Sequence, residues 1–117
     1  MKILIVDDNV AIASSLGRSL VRLGHEPLIA HGPLEALRLL DDGVDAVISD
    51  VEMPEMNGVD LALAVSRRCP GVRLAFYTAS WDQEEIIANA TRIGRVMPKP
   101  WKRGELADLL CQLAKAA

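Results

Sequence analysis

The sequence predicts an α/β fold: a doubly wound parallel sheet of five strands flanked by five helices. Short apolar runs rich in β-branched residues alternate five times with longer segments of helical period. The first run, KILIV at residues 2–6, is continuously apolar, as in a strand covered on both faces. Strands joined by helical crossovers pair in parallel, and right-handed crossovers place helices on both sides of the sheet.

Each element has a local reason. Ile12, Leu16, Leu20 and Leu23 recur at helical spacing, with Arg18 and Arg22 opposite, so residues 10–23 read as a first helix stopped by Gly24. Residues 27–30 form a second strand, and Pro27 assigns it to an edge. Pro33 sits in the favoured first turn of a second helix, with Leu34, Leu37 and Leu40 as its stripe and Asp41-Asp42-Gly43 as its end. Residues 44–49 form a third strand that delivers Asp50. A loop with Pro54 follows, then a helix over 58–68 that stops before Pro70-Gly71. A fourth strand over 72–77 leads to a helix over 82–91, for which Asp82 and Glu85 make a capping pair. A short fifth strand covers 94–97. The last helix runs from Lys102 to the chain end on Leu106, Leu109, Leu110 and Leu113.

The bulk properties exclude several classes. At 117 residues the chain suits one domain, spanning 1–117. It is 50% hydrophobic but 3% aromatic, so the core must be aliphatic. A net charge of −3 argues against direct nucleic-acid binding. Cys69 and Cys111 have no metal-ligand or CxxC spacing and read as reduced, mostly buried thiols. MKILIVDDN reaches acidic residues too soon for a secretion signal, and no apolar run is long enough for a bilayer span. A cytoplasmic protein is expected, without membrane contact.

In a sheet of this kind the functional cleft lies at the carboxyl ends of the strands. Strand one ends in Asp7-Asp8, strand three in Asp50, strand four in Thr78, and strand five runs into Lys99. Taken singly, each has an ordinary reading. Asp7-Asp8 and Thr78 could cap helices, Asp50 could be a loop carboxylate, and Lys99 could be a solvated charge. Met53 and Met56 read as packing, and no carboxylate pattern marks His25 or His31 as a base. Four strand ends together are harder to assign to capping. Three clustered carboxylates raise one another's pKa, and a divalent cation relieves that conflict. An all-oxygen set without His or Cys suits Mg²⁺ rather than zinc. A carboxylate nucleophile, a cation, a lysine and a hydroxyl are the parts of phosphoryl transfer.

With these residues in place, the sequence resembles the receiver domain of bacterial two-component response regulators over essentially its whole length. The motifs are Asp7-Asp8, the segment VISDVEMPEMNG with Asp50, Pro54 and Gly58, Thr78 in YTA, and Lys99-Pro100. The resemblance implies the flavodoxin-like strand order 2-1-3-4-5. It implies Asp50 as the acceptor of a phosphoryl group from a sensor histidine kinase or a histidine phosphotransfer protein. It places Asp8, Asp50 and the backbone carbonyl of Glu52 around Mg²⁺, with Asp7 orienting the shell, Lys99 on the phosphoryl group and Thr78 moving towards it. It further implies a cis Lys99–Pro100 bond and a packing role for Trp101. The output surface would be the fourth helix, fifth strand and fifth helix, read by a downstream protein, a covalently linked output domain or a second copy.

Val96 departs from the pattern, because many receivers carry an aromatic ring three residues before the lysine. Val is too small and too stiff to act as that switch, so signalling is expected to rely on the Thr78–Trp81 loop and the fourth helix. Glu52 and Ser80 stand where such domains control water access to the acyl phosphate, and Glu52 could instead pair with Lys99. The expected role is a regulatory phosphoacceptor rather than an enzyme. Two rivals are a degenerate docking module that is never phosphorylated and a Mg²⁺-dependent aspartyl phosphohydrolase. The hydrolase would need a D-x-D pair where this chain has Asp50-Val51-Glu52.

Overall fold

The computed structural model describes residues 1–115. Ten elements alternate: β1 (Lys2–Val6), α1 (Val10–Arg22), β2 (Glu26–Ala30), α2 (Pro33–Leu39), β3 (Ala46–Asp50), α3 (Gly58–Arg68), β4 (Arg73–Thr78), α4 (Glu84–Ile93), β5 (Arg95–Pro98) and α5 (Arg103–Lys115). The strands form one sheet in the order β2-β1-β3-β4-β5, and every pairing is parallel. The predicted α/β doubly wound architecture and its strand order are both present. β2 lies at an edge, where Pro27 costs no ladder bond.

The period of two along each strand divides the core between the faces. On one face Ile3, Ile5, Ala46, Ile48, Ala75, Tyr77 and Met97 meet Leu16 and Leu20 of α1 and four leucines of α5. On the other, Leu4, Val6 and Val47 meet Ala36 of α2 and Leu61 and Val65 of α3. A third cluster joins Val51 and Phe76 to Ala62 of α3 and Ala90 of α4. Residues on the first face of β1, β3 and β4 point, at the carboxyl ends, to Asp7, Asp50 and Tyr77.

Several boundaries differ from expectation, for identifiable reasons. β3, β4 and β5 each end one residue later, because Asp50 stays in register with Tyr77 and Thr78 with Pro98. The strands therefore carry their polar ends inside the ladder. α1 stops at Arg22, and Gly24 at φ 87° makes the left-handed turn that follows. The Asp82–Glu85 capping pair does not form. α4 begins at Glu84, its cap is Gln83, and no side chain bonds the free N–H groups. The preceding chain is taken up by a turn at Thr78–Ser80, which moves the helix start beyond Asp82. Cys111 is exposed on the outer side of α5, not buried; Cys69 is half-buried, and both are free thiols. The expected extension of α5 past Lys115 lies outside the described residues. Among the described residues no helix is long and apolar enough to cross a membrane.

Candidate functional site

The cleft is built where β1, β3, β4 and β5 end. Asp7 follows β1 and is fully buried, and Asp50 closes β3 at 8% exposure. Lys99 follows β5, with its side chain 8% exposed. Asp8 is exposed at the rim. One carboxylate oxygen from each of Asp7, Asp8 and Asp50 lies within 4.8 Å of the others. The predicted acids and the lysine therefore share one pocket.

Lys99 is the pocket's internal cation. Its Nζ donates to Asp7 Oδ2 at 2.8 Å and lies 3.2 Å from Asp50 Oδ2. The alternative pairing of Lys99 with Glu52 is not adopted. The Lys99–Pro100 peptide is cis. The Asp50 carboxylate also accepts the Glu52 N–H at 3.2 Å through Oδ1. Asp7 is held on both oxygens: Asn9 N–H donates to Oδ1 at 2.9 Å, and Tyr77 Oη donates to Oδ2 at 2.6 Å. Asn9, not an aspartate, caps α1 by accepting the Ile12 N–H at 3.1 Å. The acids are thus released from capping.

The expected mutual rise in pKa is shared unequally. For Asp50, burial raises the pKa, Lys99's charge opposes the rise and Asp7's charge adds to it; the outcome is about 6, against 3.8 for a free carboxyl. For Asp7, burial also pushes upward, but the bonds from Lys99, Tyr77 and the Asn9 backbone outweigh it and hold the carboxyl below its usual value. Burial, followed by the Asp7 bond and charge, pushes the Tyr77 phenol far upward, so it remains a proton donor.

An oxygen-only donor set of three acids facing one lysine in a largely buried pocket fits a hard divalent cation. Glu52, two residues after Asp50, carries a further buried carboxylate oxygen. Its Oε1 is shut from solvent and has no hydrogen-bond partner among the described residues. A buried acceptor left in that state is costly unless a donor or cation reaches it. The convergence of the Asp7, Asp8 and Asp50 oxygens is what lets this cluster hold a metal ion.

Gly58 is required by the approach of α3 to this pocket. Its N–H donates to Val51 O at 2.8 Å, and a Cβ there would run into the Asp50 carbonyl oxygen. Asn57 caps α3 by accepting the Asp60 N–H at 2.9 Å.

Thr78 and Val96 lie on the other face. Thr78 is buried, and its Oγ1 accepts the Ser80 N–H at 3.0 Å and donates to Ser80 O at 3.3 Å. It closes a local turn and does not cap α4. Val96 pairs in register with Phe76 and packs against the cluster that Phe76 shares with Ala90. The chain's one phenylalanine is thus a fixed core ring beside the position where a switching ring was absent. Trp101 is half-buried against the first core cluster, and its ring centroid is 6.1 Å from that of Tyr77. Met53 and Met56 pack against the second cluster.

Tyr77 is the residue at this site that the sequence does not single out. Its signal is positional: a lone tyrosine one place before the strand-end Thr78, on the same strand face as the residues opposite Asp50.

Comparison with known proteins agrees with this fold. The family model for the response regulator receiver domain matches residues 3–110. The transcriptional regulatory protein CpxR of Escherichia coli K12 is 34% identical over 107 residues, covering 90% of this chain and 45% of CpxR. The chain thus spans about half the length of the curated relatives it matches first. Among solved structures, the signal receiver domain of an HD domain-containing protein from Pseudomonas fluorescens Pf-5 superposes with a TM-score of 0.88 at 30% identity, covering 97% of this chain and 94% of that one. The chemotaxis protein CheY4 of Vibrio cholerae superposes with a TM-score of 0.83 at 26% identity, covering 96% of this chain and 97% of that one.

Proposed function

The chain belongs to the response regulator receiver domain family, and on that premise we propose that it is a phosphorylation-driven switch, acting over 1–117 as one unit, with Asp50 as the phosphoacceptor. The observation that carries this reading is the Lys99 ammonium between Asp7 and Asp50, at 2.8 and 3.2 Å, with all three side chains largely withdrawn from water.

The donor is a sensor histidine kinase or a histidine phosphotransfer protein. A carboxylate oxygen of Asp50 attacks the phosphorus. The P–N bond to the donor imidazole breaks, the nitrogen keeps the electron pair, and an acyl phosphate forms on Asp50. Asp50 must be ionised to attack, and above about pH 6 it is. Lys99 can follow the developing charge with little motion, because it already bonds Asp50 Oδ2. Asp8, Asp50 and the Glu52 carbonyl would hold Mg²⁺, with Asp7 orienting its shell; the ion would supply positive charge against the acids and the phosphoryl oxygens.

The modification adds about two negative charges. Thr78 then exchanges its local bonds with Ser80 for a phosphoryl oxygen, which moves the Thr78–Trp81 loop and α4. Val96 and Phe76 contribute little, because both are packed. Glu52 and Ser80 govern how readily water reaches the acyl phosphate. The altered α4-β5-α5 surface is read by a downstream protein, by a covalently linked output domain, or by a second copy of the chain. A linked output accords with relatives about twice as long that are named as transcriptional regulators. The domain works in the cytoplasm, where such donors act.

Incubation with Mg²⁺ and acetyl phosphate, followed by intact-mass measurement, tests this. The expected product is one phosphoryl adduct that is absent in Asp50→Asn. No adduct on the parent would leave a docking module, and continuous release of phosphate would indicate a hydrolase.

A further inference from the structure

Tyr77 is the only tyrosine in the chain and has no exposed surface. A buried phenol needs an acceptor, and an ordinary core tyrosine takes whichever carbonyl is near. This one donates at 2.6 Å to Asp7 Oδ2, the same oxygen that accepts from Lys99 Nζ at 2.8 Å. The ammonium also sits 4.3 Å from the centroid of the Tyr77 ring. Both parts of the side chain therefore engage the pocket: the hydroxyl holds an acid, and the ring holds the cation. Trp101 backs the ring at a tilt of 59°. The register pair Asp50–Tyr77 explains the placement, since it sets the tyrosine beside the acceptor on the same sheet face.

We propose that Tyr77 is a positioning residue of the phosphoacceptor pocket: its hydroxyl fixes the Asp7 carboxylate, and its ring seats the Lys99 ammonium between Asp7 and Asp50. The role rests on the reading of Asp50 as phosphoacceptor. With Tyr77 and Lys99 donating to Oδ2 and the Asn9 N–H to Oδ1, the Asp7 carboxylate is held against rotation, and its remaining lone pairs face a fixed direction. A lysine has four rotatable bonds, and an aromatic face beneath its ammonium removes the conformers that leave the pocket.

Two variants separate the two parts. Tyr77→Phe keeps the ring and loses the hydroxyl, whereas Tyr77→Leu loses both. Calorimetric titration with Mg²⁺, without any phosphodonor, should show binding about tenfold weaker in Tyr77→Phe, because the group that orients a ligand carboxylate is gone. In an Asp7→Asn background the same substitution should cost nothing further. The Lys99 side-chain methylene proton resonances, shifted upfield by the ring, should stay shifted in Tyr77→Phe and return to ordinary values in Tyr77→Leu. With acetyl phosphate at saturating Mg²⁺, Tyr77→Leu should be slower than Tyr77→Phe by about five- to tenfold. Unchanged Mg²⁺ affinity in Tyr77→Phe would overturn the role of the hydroxyl. Equal rates in the two variants, with unshifted Lys99 resonances in the parent, would overturn the role of the ring. A parent that takes no adduct on Asp50 would refute the phosphoacceptor reading, while the titration and the resonances would still decide the placement of Asp7 and Lys99.

Discussion

The β1–α1 and β4–α4 connections leave neighbouring parts of the same sheet, yet they are fastened in opposite ways. After β1, Asp7 is bonded on both oxygens, Asn9 caps the helix, and α1 sinks Ala13, Leu16, Gly17 and Leu20 into the core. After β4, a small Thr78–Ser80 turn gives way to Trp81 at 49% exposure, and α4 starts without a side-chain cap. Ala90 is the one fully buried residue of α4, with Ile86, Ile87 and Ile93 only half-buried. In the proposed switch, a charge arrives at a place that does not yield, and its effect reaches an element that is cheap to move. Low-stability elements are the ones that shift between conformers.

The contrast can be broken first at its rigid end. Leu16→Ala removes a fully buried side chain between α1 and the sheet and should cost about 3–4 kcal/mol in urea unfolding.

The electrostatic strain at Asp50 should give the next largest effect, with the opposite sign. In the unfolded chain this carboxyl ionises near 3.8, and in the folded pocket near 6. Its contribution to stability is complete below the lower value, is lost as the pH climbs through about 6, and stays lost above. In metal-free buffer at neutral pH, Asp50→Asn should therefore be more stable than the parent by up to about 3 kcal/mol. The two should converge at the acid end of the window, and added Mg²⁺ should narrow the gap by stabilising the parent. Asp7, whose pKa is lowered, carries the reverse sign: its contribution is present above 3.8 and is lost as the pH falls through its folded value. Chemical denaturation across pH checks the sign.

Gly58→Ala sharpens the comparison from a third side. The new methyl group must displace the Asp50 carbonyl or lift α3, at a cost of about 2 kcal/mol. Because the displaced atom belongs to the proposed phosphoacceptor, modification by acetyl phosphate should slow as well.

The smallest effect should be at the loose end. Ile87→Ala on α4 should cost only about 1 kcal/mol, because the side chain is already half in water. Amide exchange read by mass spectrometry should find α4 opening well before α1 and α5, and forming the adduct should change protection in α4 more than in either. Equal protection of all three helices would remove the contrast.

Much of this was legible in the residues. Apolar runs at period two and stripes at period 3.6 set the number, kind and order of the elements, because each must bury its apolar side. Strand ends rich in Asp, Thr and Lys marked the cleft, because a parallel sheet gathers those ends on one side. The boundaries of β3, β4 and β5 were less legible: whether Asp50 and Thr78 remain in the ladder depends on what their neighbours offer. The missed cap of α4 has the same origin, since Thr78 used the preceding chain for a turn.

The chain order and residue types determined the architecture and the identity of the acids, because periodicity and strand-end position are local facts. Only the tertiary structure decided how those acids divide the proton, which oxygen Lys99 takes, and that Tyr77 stands beneath them. Those outcomes depend on distances of about 3 Å between residues as many as 92 positions apart, and no local pattern encodes such distances.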